Sequence, residues 1–61
     1  MKIGDLVKGF DIQGQEPVFG ILAEFLDYGV YNYRIGSFNF RYAEPVTLKE
    51  FKKYVKEKQN N

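Results

Sequence analysis

Cysteine, histidine and tryptophan are missing from this 61-residue chain, and Ser37 and Thr47 are its only serine and threonine. Without cysteine there is no disulfide and no thiolate metal site. Without histidine the commonest remaining zinc ligand is gone as well. The same gaps exclude Ser-His-Asp and Cys-His nucleophile arrangements. Ser37 follows a glycine in a turn signal and Thr47 stands at a helix start, so both have local duties. No glycine-rich phosphate loop or EF-hand spacing occurs. The eight carboxylates do not by spacing exclude an acid–base pair. A chain this short, however, has little room for a sheltered pocket of about 300 Å³ or more. The expectation is a protein that is not an enzyme, with no cofactor and no metal.

Long apolar runs are also lacking. Nothing approaches the roughly twenty apolar residues of a membrane span, and the opening "MKIGDLVKGFD" has no signal-peptide core. Lack of cysteine is compatible with a reducing compartment. These absences predict a cytoplasmic protein, beginning at Met1, with no membrane partner. No linker, repeat or low-complexity stretch divides residues 1–61, which read as a single domain.

What is present is aromatic. Six Phe and five Tyr must supply the core by packing alone. A chain of this size buries only about 60% of the surface it exposes when unfolded, whereas each large ring can remove roughly 150–250 Å² from water. Net charge is +1 but unevenly spread. Residues 1–48 carry four basic and six acidic side chains; residues 49–61 carry five lysines and two glutamates.

In "FNFRYA", Phe38, Phe40 and Tyr42 alternate with Asn39 and Arg41, the period of a half-buried strand. Upstream, Tyr31, Tyr33 and Ile35 alternate with Val30, Asn32 and Arg34. Gly36-Ser37 suits a two-residue hairpin with glycine at the first central position. That turn sets Ile35 opposite Phe38, Tyr33 opposite Phe40 and Tyr31 opposite Tyr42, with every ring on one face. "VFGILAEFL", residues 18–26, reads as the preceding strand. A three-residue Asp27-Tyr28-Gly29 connection would pair Phe25 with Tyr31, Ala23 with Tyr33 and Ile21 with Ile35, keeping the Glu24 carboxylate out of the core. Strands are thus predicted at about 5–12, 18–26, 30–35 and 38–43. Gly9 in the first suggests a bulge or a close backbone approach.

Thr47-Leu48-Lys49-Glu50 has the spacing of a capping box and opens a helix over about 48–58. Leu48, Phe51 and Val55, flanked by Tyr54, form its apolar stripe; Lys49, Lys52, Lys53 and Lys56 fill the rest, and the final "KQNN" reads as frayed. The class is therefore mainly β with a C-terminal helix. The opening "IGDLVKG" at 3–9, the "FGILAEF" strand at 19–25 and the hairpin at 30–43 resemble the SH3-like small barrels, the group that includes Tudor and KOW modules. The resemblance spans residues 3 to about 46 and is generic. It implies a small antiparallel barrel whose last strand comes from "AEPV" at 43–46, with the helix as an addition. It carries over no functional residues. A four-stranded antiparallel meander with the helix packed on one face is the alternative.

Tyr31, Tyr33, Phe38, Phe40 and Tyr42 are expected in the core. Asn32, Arg34, Asn39 and Arg41 form a polar square on the opposite face, with a Glu24–Arg34 cross-strand pair. Phe10, Leu22 and Tyr28 are left towards solvent. The square, Tyr28 and the lysines Lys49, Lys52, Lys53 and Lys56 are the candidate binding residues. They suit a small protein-binding adaptor or inhibitor, in style similar to phage and mobile-element products. The alternative is a nucleic-acid binder using Arg34, Arg41 and the helix lysines, although six acids in the barrel oppose phosphate contacts. As for its own assembly, a monomer or a weak homodimer paired through free strand edges is expected.

Overall fold

Period-two patterning becomes five strands, not four. The computed structural model describes residues 1–59, in the order β1 (Leu6–Phe10), β2 (Val18–Tyr28), β3 (Tyr31–Ile35), β4 (Phe38–Phe40), β5 (Tyr42–Pro45) and α1 (Leu48–Gln59). The strands form one open antiparallel sheet ordered β4-β3-β2-β1-β5. Of the "KQNN" expected to fray, Lys58 and Gln59 are helical, and Asn60 and Asn61 lie outside the described residues.

Gly36 has φ of 61°, which a glycine-first hairpin turn requires. The β3–β4 register follows from it: Ile35 faces Phe38, Arg34 faces Asn39 and Tyr33 faces Phe40. The ladder stops there. Tyr42 does not pair with Tyr31 but crosses to Phe10 of β1, where the two rings stack at 5.5 Å. Consecutive strands β4 and β5 therefore lie at opposite edges of the sheet, joined by Arg41 alone. The sheet has to curl for one residue to span them.

The β2–β3 connection differs from expectation. Tyr28 faces Tyr31 across a Gly29-Val30 turn, and the pairing continues as Phe25 with Tyr33, Glu24 with Arg34 and Leu22 with Ile35. Irregularities fall between Leu22 and Glu24 and between Phe25 and Tyr28. An extra residue on one strand reverses which side chains face inward beyond it. So Leu22 is fully buried and Ile21 is exposed, the reverse of the expected sorting.

The core consists of Val7, Leu22, Ile35 and Phe40, with Tyr33 and Ala43 packed against it. Gly9 explains how closely the strands pack around it. A Cβ at Gly9 would lie 2.5 Å from Ile35 Cδ1 and 2.8 Å from the Phe40 ring, and one at Gly20 would lie 2.9 Å from Ile35 Cγ2. Of the two readings of Gly9, the close approach is present and no register shift falls there. Phe10, expected outside like Leu22, is also buried. Phe25, Tyr31, Phe38 and Tyr42, expected inside, are exposed. A core of four residues fills before the aromatic face is used up.

At the helix start the Thr47 Oγ1 accepts a hydrogen bond from the Glu50 amide at 3.1 Å. The Glu50 carboxylate is drawn away from the cap by the Lys8 ammonium, which donates to it at 2.8 Å. The packed stripe is also shifted. Phe19 of β2 stacks on Tyr54 at 4.1 Å and meets Phe51 at 6.4 Å, whereas Leu48 is exposed.

These placements separate two phenylalanines that sequence periodicity treats alike. Urea denaturation should show Phe40→Ala costing about 3–5 kcal/mol, and Phe38→Ala within about 0.5 kcal/mol of wild type. Equal costs would put the core elsewhere.

Candidate functional site

The polar square does assemble. Arg34 faces Asn39 across β3 and β4, and the Asn32 Nδ2 donates to the Arg41 carbonyl at 3.2 Å. Much of it is internally engaged. The Arg34 guanidinium donates to the Gly36 carbonyl at 2.9 Å and lies 3.6 Å from the Glu24 carboxylate, so the expected cross-strand pair forms. The Arg41 amide donates to Asp11 Oδ1 at 2.9 Å. Among the described residues the Arg41 guanidinium makes no ion pair.

The lysines occupy two sides of α1. Lys53 joins Lys8, Phe19, Glu50, Tyr54 and Glu57 around a groove of about 320 Å³ between the helix and the sheet. Successive helical residues turn by about 100°, given 3.6 residues per turn. Glu50, Phe51, Tyr54 and Lys58 therefore share the docked side, and Leu48, Lys49, Lys52 and Lys56 share the opposite one. The latter four are all exposed. No hydrogen bond, ion pair or groove joins the square to these lysines among the described residues.

Sequence reasoning missed an exposed aromatic surface. Alternate residues of β3 share a face, and cross-strand partners share it with them. Tyr31, Tyr33 and Ile35 thus line up with Tyr28, Phe25, Leu22, Phe38 and Phe40. Leu22, Ile35 and Phe40 are the covered part of this row. Phe25 (52% exposed), Tyr28 (62%), Tyr31 (39%) and Phe38 (67%) are the uncovered part. The Phe25 ring meets Tyr33 edge-on at 6.0 Å, which fixes the base of the platform. Strand length is the signal for its Phe25, Tyr28 and Tyr31 end, because β2 has eleven residues and β1 only five and the β2–β3 hairpin outruns its cover; Phe38 stands at the other end of β3, opposite Ile35. Tyr28 is the one candidate binding residue that belongs to this surface. Near it stand Glu24, already paired, and Asp27, which makes no ion pair among the described residues; no lysine occurs between Lys8 and Lys49.

No family model, curated protein or solved structure matches the chain. No helix among the described residues is long and apolar enough to cross a membrane.

Ionic contacts hold α1 beside its aromatic stack. The Glu50 carboxylate, hydrogen-bonded to Lys8, holds that ammonium above the ordinary lysine value, aided by Glu44 at 3.8 Å. Lys58 donates to Glu16 at 2.9 Å; the bond raises Lys58 and lowers Glu16. A raised lysine contributes fully below its unfolded pKa and loses its effect as pH climbs through the folded one. A lowered carboxylate contributes above its unfolded pKa and loses its effect as pH falls through the folded one. The Tyr54 ring resonances in NMR should hold steady through neutral pH and move once pH drops below the ordinary glutamate range. An unchanged Tyr54 signal in acid would show that stacking alone docks the helix.

Proposed function

We propose that the protein is a small non-enzymatic binding module, an adaptor or inhibitor that docks on a protein partner through its hairpin platform. The observation that carries this reading is the row of uncovered rings, Phe25, Tyr28, Tyr31 and Phe38. Contiguous exposed apolar surface on a small protein marks an interaction site more often than chance, and aromatic rings dominate interface energetics. We read the scaffold as SH3-like. Its support is topological: β1 pairs with both β2 and β5, and the one-residue step from β4 to β5 bends the sheet back on itself.

Nucleic acid is the competing ligand. Exposed rings stack unpaired bases, and Arg34, Arg41 and the lysines Lys49, Lys52, Lys53 and Lys56 are the available cations. The balance favours protein for an electrostatic reason. Phosphate binding needs cations beside the stacking surface, and the charged strand residues near the platform are Glu24, Asp27 and one arginine already tied to Glu24. The polar square then borders the contact without carrying it.

Capture from lysate of the source cells distinguishes the two. Immobilised protein should retain a partner after nuclease treatment at moderate salt. Phe25→Ser with Phe38→Ser should lose it at least tenfold, whereas Arg34→Glu with Arg41→Glu should retain most of it. Release by nuclease, or loss confined to the arginine variant, would overturn the protein-docking reading.

A further inference from the structure

The platform and the free side of α1 complement each other. One presents four exposed rings with Asp27 between Phe25 and Tyr28, the Glu24 carboxylate being tied to Arg34 on the other face; the other presents Leu48 within Lys49, Lys52 and Lys56. Ammonium groups are attracted to the faces of Tyr and Phe rings, and Leu48 offers the apolar contact that completes such a surface. The charge division runs the same way: six acids and four bases before residue 49, five lysines and two glutamates after it.

The Tyr28–Tyr31 end of the platform lies far from the helix within one molecule. Helix α1 is anchored on Phe19, and Tyr28 lies nine positions further along the same strand. At about 3.3 Å per residue that is roughly 30 Å, most of the 37 Å long axis. A second copy can bring its lysine face to that end of the platform.

We propose that the partner of this platform includes the chain itself: the rings of one copy dock on the Leu48, Lys49, Lys52 and Lys56 face of the next, head to tail. The proposal rests on the docking reading above and names an occupant for it. Such contacts are heterologous, so each bound pair keeps one free platform and one free helix, and association continues into chains or closes into rings. The contact is weak. Four half-exposed rings offer roughly 400 Å², about 800 Å² counting both partners, below the approximately 1,200 Å² of stable interfaces. A symmetric platform-to-platform dimer has the same small area and brings Asp27 towards its own copy and no cation to the rings, so charge favours the helix as occupant.

Sedimentation of the full chain from micromolar to millimolar concentration tests this. Average mass should rise beyond two chains, and added salt should return it to one. Two variants with unchanged far-UV circular dichroism are then compared, Phe25→Ser/Phe38→Ser and Lys52→Glu/Lys56→Glu. Each alone should stay monomeric, because each lacks one of the two faces. An equimolar mixture should form a species of two chains that grows no further. A wild type that stays monomeric at millimolar concentration overturns self-docking while leaving lysate capture, and so the docking reading, intact. Dimers of the lysine variant, continued association of the phenylalanine variant, or a monomeric mixture each overturn the head-to-tail geometry. Loss of both self-association and capture in wild type would remove the docking reading as well.

Discussion

The structure depends on one close approach, that of Ile35 and Phe40 to the backbone of β1 and β2. Gly9 and Gly20 leave out two Cβ atoms where these side chains sit. Contact at that distance lets an open, curled sheet pack its own strands together around only Val7, Leu22, Ile35 and Phe40. Larger residues at either glycine would hold the layers apart and open voids beside Ile35, which interiors tolerate poorly. With no disulfide and no metal ligand of the thiolate or imidazole type available, packing has to be this tight to stabilise so short a chain.

That curl determines what the remaining polar groups do. It brings Arg41, the single residue between β4 and β5, against Asp11 beyond the end of β1 and within reach of the Asn32 side chain. Part of the polar square is therefore a clasp that fixes the crossing, which is why its residues converge without forming an open cationic site. On the outer side of β1 and β2, Lys8 reaches Glu50 and Phe19 stacks on Tyr54, so α1 leans on the sheet through a narrow strip. Surface ion pairs of this kind contribute little individually, and the helix adds more charge than core.

Much of this was legible in the sequence, and the limits are specific. Gly36-Ser37 fixed the β3–β4 register, Gly9 marked either a bulge or the close approach that is found, Thr47 marked the helix start, and alternation placed β1 to β4 within a few residues but ran β4 on into β5. Three things escaped. The two irregularities of β2 contain no glycine to mark them, so the reversal that buries Leu22 and exposes Ile21 could not be counted from alternation. The capacity of the core is a property of curvature, so periodicity alone could not say that Phe40 would be enclosed and Phe38 left out. The diversion of Glu50 to Lys8 joins residues 42 positions apart, beyond the reach of a local capping pattern.

The excess rings then pose a physical question, because an exposed aromatic hairpin is an aggregation hazard. Two features of the chain limit that hazard. The irregularities at Leu22–Glu24 and Phe25–Tyr28 bend the strand that carries the platform, and a bent edge is a poor template for another strand. Glu24 and Asp27 set charge along the same stretch, where like charges oppose the in-register stacking of identical copies. A surface protected in this way against flat, edge-on pairing still admits a differently shaped and oppositely charged one. The bulge that buries Leu22 also turns Glu24 towards Arg34, so the same irregularity that completes the core also sets the electrostatic border of the platform.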